Sequence, residues 1–287
     1  MYKALNDWVL GGFEGKMDVF DMIHFAARKK LDGLELTFGS SLPFTTTQGD
    51  CCGYRACATA NKVKFRTLAT GFYLSKSLSA ADEKERCEAI ALTQQYLQVA
   101  SWMQVESILV VPGTTCVPWD PSRPVVSYKT AWENSVKSIN ALIPHAERLG
   151  INLALENIWG RFLLSPMEWK FFLDQFQSER VGMYLDIGNC AIFGRAEDYI
   201  EILGDKIKAV HIKNFAGSDC AGGLHGFGDD LLQGDVDFKS IAAALKKIKF
   251  KGPLTAEMIP FCRLPDMILP DLKLAEETAD KLKSLSF

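Results

Sequence analysis

Residues 151–156 read Ile-Asn-Leu-Ala-Leu-Glu156, and residues 181–186 read Val-Gly-Met-Tyr-Leu-Asp186. Two later stretches have the same form, Ala-Val-His211-Ile-Lys213 and Leu-Thr-Ala-Glu257. Each is a short apolar run that ends in polar or ionisable residues, which is typical of strands buried in a parallel sheet. The carboxyl ends of parallel strands meet at one edge of a sheet, so these runs predict one shared pocket.

Similar β-type runs alternate with longer amphipathic segments along the 287-residue chain, which is the pattern of repeated βα units. We predict strands at residues 4–9, 33–36, 64–69, 107–111, 152–156, 182–186, 209–213 and 253–257. We predict helices at residues 18–30, 80–102, 128–149, 166–176, 196–203, 238–248 and 271–285, with a weaker one within 49–61. No linker-like composition divides the chain, so residues 1–287 are predicted to form a single (β/α)8 TIM barrel domain.

The composition disfavours several classes of protein. The formal charge of -3, from 32 basic and 35 acidic residues, gives no excess of positive charge to attract nucleic acid. No apolar run is long enough to cross a membrane. Eight cysteines are scattered without a secretory leader, which predicts reduced thiols in the cytoplasm. Cys51, Cys52 and Cys57 lack the paired spacing of a structural zinc site and are expected to lie on a helix.

The ionisable residues at the ends of the later predicted strands are the candidate functional residues. Taken singly, a carboxylate there is often a helix cap and a lone histidine is often a structural hydrogen-bonding group. Taken together, Glu156, Asp186, His211 and Glu257 would crowd three negative charges and an imidazole into one pocket. Such charges repel unless they are protonated or neutralised, and a divalent cation neutralises them. Oxygen ligands with one nitrogen suit Mn²⁺, Mg²⁺ or Co²⁺, and Zn²⁺ is also compatible.

These segments, with Gly33-Leu-Glu35-Leu36 in the first half and Gly234-Asp235-Val-Asp237 in the second, resemble the xylose isomerase-like barrel superfamily. Within it, they are most similar to the sugar and sugar phosphate isomerases and epimerases that include ketose 3-epimerases. The resemblance spans most of the chain, but its specific motifs lie from residue 151 onward.

The resemblance implies a mechanism in which one divalent ion, Mn²⁺ by preference, polarises the carbonyl of a ketose and acidifies the adjacent C–H. Glu156 and Glu257 would transfer the proton on opposite faces of the sugar through an enediolate and would also coordinate the ion. Asp186 and His211 would chiefly hold the ion. The expected partner is a small sugar or sugar phosphate, and the chain is expected to be able to form a homo-oligomer.

Five further residues are candidates for contacts with the substrate. Trp119 is placed to pack on the apolar face of a sugar. Asn157 and Asn189 are candidates for hydrogen bonds to hydroxyl groups, and Lys213 and Arg161 for binding a phosphate at the pocket mouth. Either cation has an alternative role as a surface charge or as the partner of a carboxylate in the pocket.

The chain also departs from the pattern of the ketose 3-epimerases at two points. Asn189 stands where several free-ketose 3-epimerases carry a substrate-contacting histidine. The stretch that follows Glu156 lacks the second glutamate of those enzymes.

Several functions share these residues. An aldose–ketose isomerase would use the same ion and carboxylates to move a proton between C1 and C2. A cyclic polyol dehydratase would lose hydroxide after the same proton abstraction. An apurinic-site endonuclease shares the fold but uses a histidine-rich zinc cluster, and this chain has four histidines, of which only His211 ends a predicted strand. A non-catalytic sugar-binding barrel would retain the ligands without turnover.

Overall fold

The computed structural model describes residues 1–11, 17–217, 226–228, 230–258 and 271–287. Eight parallel strands close into a barrel in sequence order, which confirms the (β/α)8 fold. The strands are β1 Lys3–Asn6, β2 Gly33–Phe38, β3 Lys64–Thr70, β4 Ser107–Val110, β5 Asn152–Glu156, β6 Val181–Asp186, β7 Ile207–Ile212 and β8 Leu254–Ala256. The helices are α1 Val19–Arg28, α2 Gln48–Ala60, α3 Glu83–Met103, α4 Tyr128–Leu149, α5 Pro166–Leu173, α6 Ala196–Leu203, α7 Phe238–Lys247 and α8 Leu272–Ser284.

The helix α2, which had the weakest sequence pattern, begins at a reciprocal cap. The Thr47 hydroxyl accepts from the backbone N–H of Asp50, and the Asp50 carboxylate accepts from the backbone N–H of Thr47. This capping box satisfies two N–H groups that the helix leaves without partners. The three clustered cysteines lie on or within this helix as expected, and the described cysteines are free thiols. Among the described helices, none combines the length and apolarity that a bilayer span requires.

The first strand is shorter than predicted. We expected a strand over residues 4–9, but β1 ends at Asn6 and a 3-10 helix, Asp7–Leu10, follows. The Asn6 side chain accepts a hydrogen bond from the backbone N–H of Trp8, 2.8 Å away, and this contact starts the helix. The Asp7 carboxylate turns toward the end of β2, where it accepts from the backbone N–H and hydroxyl of Thr37 and from the hydroxyl of Ser41.

Burial of Asp7 makes the stability of the fold depend on pH. Burial raises the pKa of this carboxyl from 3.8 to about 6, although the Ser41 and Thr37 hydrogen bonds favour its ionised form. Because the folded state binds this proton more tightly, the Asp7 contribution favours folding at low pH and is lost as the pH rises from about 4 to about 6. A shift of this size corresponds to about 3 kcal/mol of unfolding free energy.

We therefore expect Asp7→Asn to remove this dependence. The difference in unfolding free energy between wild type and the variant should fall by up to about 3 kcal/mol between pH 4 and pH 7. Urea denaturation of both proteins across this range measures the difference. A difference that stays constant with pH would show that Asp7 titrates normally in the folded state.

The register of the barrel aligns the late strand ends. Asp186, the last residue of β6, lies opposite His211 of β7, and His211 lies opposite Thr255 of β8. Glu156 lies opposite Tyr184, two residues before the end of β6. This stagger brings side chains from β5 to β8 over one end of the barrel, where the loops that follow the strands form the walls of a pocket.

Candidate metal centre

Four side chains from the late strands meet at the carboxyl end of the barrel. Glu156, Asp186, His211 and Glu257, which we call the ligand group, each offer one ligand atom, and these atoms lie within 4.8 Å of one another. Each residue is buried, with at most 6% of its surface exposed. Glu156, Asp186 and His211 belong to β5, β6 and β7, and Glu257 directly follows β8. The barrel therefore assembles the group that the sequence pattern indicated.

The Asp186 carboxylate has one fixed oxygen and one that faces the ligand group. Its Oδ1 accepts hydrogen bonds from the backbone N–H groups of Gly188 and Asn189, at 2.9 and 2.8 Å. Its Oδ2 is buried and accepts no hydrogen bond from the backbone, and its partner is the Lys213 ammonium 2.8 Å away. A buried carboxylate oxygen is costly unless a cation lies beside it, so this oxygen is suited to an ammonium or to a metal ion.

His211 is oriented by a carboxylate that the sequence did not assign to the site. The Nε2 atom of His211 lies 2.7 Å from Oε1 of Glu35, and its Nδ1 atom lies 2.8 Å from Oε1 of Glu156. Burial would lower the pKa of His211, but the charges of Glu257 and Glu35 outweigh burial and raise it well above its usual value. An ionised carboxylate only accepts hydrogen bonds, so Nε2–H donates to Glu35 and Nδ1–H donates to Glu156. Nδ1 faces Glu156 and Glu257 and is the nitrogen that would bind an ion on losing its proton. A histidine that binds a metal commonly donates its other N–H to a carboxylate in this way.

Glu35 is itself held by two further donors. Asn6 Nδ2 donates to its Oε1 at 2.8 Å, and the Tyr184 hydroxyl donates to its Oε2 at 2.5 Å. Burial opposes ionisation of Glu35, but the charge and hydrogen bond of His211 outweigh burial and hold the pKa of Glu35 below its usual value. Glu35 is therefore a buried anion that accepts hydrogen bonds from Asn6, Tyr184 and His211.

Lys213 lies inside the ligand group. Its Nζ is 2.6 Å from Oε2 of Glu257 and 2.8 Å from Oδ2 of Asp186, in ion-pair contacts. Burial alone would lower the pKa of Lys213, but the charges of Asp186 and Glu257 outweigh burial and raise it above its usual value. We expected this lysine at the pocket mouth, and the structure places its ammonium at the bottom of the pocket.

The excess of carboxyl groups in the site favours the binding of a divalent cation. Glu35, Glu156, Asp186 and Glu257 are four buried carboxyl groups, and burial raises the pKa of Glu156 to about 7. Three carboxylates and an imidazole are a suitable donor set for a divalent ion such as Mn²⁺. The ligand atoms of this donor set lie close enough together to fit one ion, with His211 oriented by Glu35.

The pocket above the ligand group has mainly apolar walls. Its apolar lining residues come from several loops that follow strands and include three tryptophans: Trp8, Leu74, Val111, Trp119, Ile158, Trp159 and Phe227. Its polar lining includes Glu156, Glu257, Asn189 and Lys213. Among the described lining residues, Lys213 is the one cation, and it is already paired with two carboxylates.

The remaining predicted contact residues fall in different places. Trp119 and Asn189 line the pocket, and their contact with a substrate stays a prediction. Asn157 is buried and bridges β5 to β6, since its Nδ2 donates to the Asp186 carbonyl and its Oδ1 accepts from the Asp186 N–H, both at 2.9 Å. Arg161 is exposed and is not among the described lining residues.

The loops after β5 and β6 are tied together beside the pocket. Trp159 Nε1 donates to the carbonyl of Asn189 at 3.1 Å, and Asn189 Nδ2 donates to the carbonyl of Asn157 at 3.0 Å. These bonds hold Trp159 as a wall next to the ligand group. Trp119 packs against the cluster that Trp159 forms with Phe215 and Phe227.

The family sequence model that matches residues 23–285 is that of the xylose isomerase-like TIM barrel, and the chain belongs to this family. A D-psicose 3-epimerase crystallised in the presence of D-fructose is 19% identical, with a TM-score of 0.81 over 99% of this chain and 97% of the other. The D-psicose 3-epimerase of Clostridium cellulolyticum H10, crystallised with D-tagatose, is 20% identical, with a TM-score of 0.79 over the same shares. An L-ribulose 3-epimerase is 14% identical, with a TM-score of 0.79 over 99% of this chain and 94% of the other. No curated protein matches the chain.

Loss of the Glu35 carboxylate should weaken metal binding without removing a ligand. In Glu35→Gln, the amide oxygen can keep the Asn6 and His211 contacts of Oε1, and the amide nitrogen can donate to the Tyr184 hydroxyl at the Oε2 position. The substitution therefore removes the negative charge beside His211, which becomes less basic. We expect the affinity for Mn²⁺ to fall by about 10- to 100-fold in calorimetric titrations. Glu106→Gln, which changes the Arg66 pair at the opposite end of the barrel, is the control. Equal affinities in the two variants would exclude the orienting role.

Proposed function

We propose that the protein is a divalent-metal-dependent sugar isomerase that epimerises a ketose or ketose phosphate at C3. The observation that carries the proposal is the buried ligand group at the bottom of a pocket with aromatic walls. Membership of the xylose isomerase-like family and the ketose 3-epimerases among the similar structures support a sugar epimerase or isomerase. Mn²⁺ is the proposed ion, with Mg²⁺, Co²⁺ and Zn²⁺ as alternatives.

Glu156 and Glu257 are the proposed acid–base pair. Both line the pocket, and they reach it from β5 and from the end of β8, so a sugar lying between them presents a different face to each. One carboxylate removes the proton at C3, and the other returns a proton from the opposite face. When bound, the divalent ion polarises the ketose carbonyl and lowers the pKa of the adjacent C–H.

The described part of the pocket wall favours an uncharged sugar over a phosphorylated one. A phosphate is usually held by arginine or lysine side chains or by a helix N-terminus. Lys213, the one cation in the described lining, is paired with Asp186 and Glu257, and Arg161 lies outside this described lining. Trp119 and Trp159 instead offer faces on which the C–H groups of a sugar can pack.

The free thiols of the described cysteines support a reducing compartment such as the cytoplasm.

Deuterium incorporation from solvent tests the proposal. The purified protein is incubated with Mn²⁺ in D₂O with a panel of ketoses and ketose phosphates, and the labelled carbon is located by NMR. We expect deuterium at C3 together with the C3 epimer. Deuterium at C1 or C2 would indicate an aldose–ketose isomerase, a dehydrated product would indicate a lyase, and no incorporation with any sugar would contradict the proposal.

A further inference from the structure

The Lys213 ammonium contacts two of the four side chains that we propose as metal ligands. Its contact with Asp186 is to Oδ2, the oxygen that the backbone N–H groups of the loop do not reach, and its contact with Glu257 is to Oε2. Lysine carries its charge on a compact group that can lie beside several carboxylates at once. The chain therefore supplies its own cation beside two of the carboxylates that we propose as metal ligands.

The fold makes specific room for this lysine. A Cβ atom at Gly188 would lie 2.9 Å from Cβ and 3.0 Å from Cγ of Lys213, so a larger residue at 188 would displace the Lys213 stem. The Nζ atom also lies 5.3 Å from the centre of the Phe227 ring, at a distance that favours a cation over an aromatic face. The glycine thus leaves room for the Lys213 stem, and the Phe227 ring lies beside its ammonium.

We propose that Lys213 is the internal counter-ion of the ligand group, which stabilises the site when no metal is present and limits its affinity for divalent ions. This inference rests on the proposed metal site and adds a role for the chain's own charge. A buried cation that neutralises Asp186 and Glu257 removes part of the repulsion among the carboxylates of the site. The same positive charge repels an incoming divalent ion, and this repulsion is strong in a pocket of low dielectric constant.

Two opposite effects of one substitution distinguish this role from simple packing. Removing the Lys213 charge should destabilise the metal-free protein, because the carboxylates then repel without a counter-ion. It should also increase the affinity for a divalent ion, because the competing cation has gone. A residue that only maintained the shape of the site would weaken metal binding when substituted.

The test is a calorimetric titration of metal-free wild type and of Lys213→Met and Lys213→Gln with MnCl₂. We expect both neutral variants to bind Mn²⁺ at least about tenfold more tightly than wild type, and their midpoints of thermal unfolding in EDTA to be lower. The glutamine variant keeps a polar side chain, so the test stands if the methionine variant does not fold. Lys213→Arg retains the charge and should bind Mn²⁺ no more tightly than wild type.

Lys208→Met is the matched control, because Lys208 lies on the same strand, β7, and is half-buried outside the described lining of the pocket. Its Mn²⁺ affinity should equal that of wild type. An affinity of both neutral Lys213 variants that equals or falls below the wild-type value overturns the counter-ion role and leaves the metal site intact. An absence of Mn²⁺ binding in every protein overturns both the counter-ion role and the proposed metal site.

Discussion

Glu257→Gln should lower turnover by about a thousandfold or more while the protein still binds Mn²⁺ with reduced affinity. The variant keeps an oxygen that can face the ion, but an amide cannot accept a proton from carbon and return it. Glu257 lines the pocket beside Lys213 and belongs to the ligand group, so the substitution acts on a group placed to reach the sugar. Removal of a group that transfers a proton directly costs about 10² to 10⁴ in rate.

The measurement is the rate of deuterium incorporation by wild type and variant, each with saturating Mn²⁺. Glu201→Gln makes the same chemical change on the exposed surface of α6 and should leave the rate unchanged. A Glu257→Gln protein with turnover within tenfold of wild type would remove Glu257 from the acid–base pair.

Asp186→Asn should lower the affinity for Mn²⁺ by about a hundredfold or more and abolish measurable turnover. The backbone N–H groups of Gly188 and Asn189 donate to Oδ1, so the amide oxygen of the variant must occupy the Oδ1 position. The amide nitrogen then takes the place of Oδ2 and presents two donors to Lys213 and to the ion. A donor cannot ligate a metal, so one ligand is lost without a change in the shape of the site.

The matched control for this prediction is Asp237→Asn. Asp237 caps α7, and its carboxylate also accepts from two backbone N–H groups, those of Lys239 and Ser240. Asparagine is about as good a helix cap as aspartate, so this variant should retain its stability and its Mn²⁺ affinity. If Asp186→Asn also retains its Mn²⁺ affinity, Asp186 is not a ligand.

The fold and the ligand group could be predicted from the sequence because both depend on local sequence patterns. Apolar runs that alternate with amphipathic segments predict the βα repeat, and a parallel barrel brings every strand end to one face. The polar residues at the ends of β5 to β8 therefore lie close together, and this does not depend on the conformation of the loops. The same logic failed at β1, since hydrogen bonds of the Asn6 and Asp7 side chains end the strand at Asn6 and start a 3-10 helix.

The orienting role of Glu35 could not be read from a local pattern. His211 and Glu35 are separated by 176 positions, and their contact depends on how β2 and β7 face each other across the barrel. The available signal was a charged residue within the apolar run of β2, which is costly to bury without partners. The depth of Lys213 was inaccessible for a similar reason, because it depends on the space left by Gly188 in the neighbouring loop.

The exposed position of Arg161 has a backbone origin. Arg161 has a positive φ of 52°, a conformation that the residue pattern around it does not announce. The chain turns there, and the side chain is directed to the exposed surface rather than into the described lining of the pocket. A residue that shortly follows a strand is therefore predicted to lie near the pocket, but the direction of its side chain is not predicted.

We propose that one divalent ion is held by Glu156, Asp186, His211 and Glu257. An electron paramagnetic resonance titration with Mn²⁺ tests this proposal most directly. Bound Mn²⁺ loses the sharp six-line signal of the free ion, so the signal reports the number of bound ions per chain. We predict that metal-free wild type binds one ion per chain and that Asp186→Asn does not bind it at the same concentrations. A wild-type protein that leaves all added Mn²⁺ free would contradict the claim.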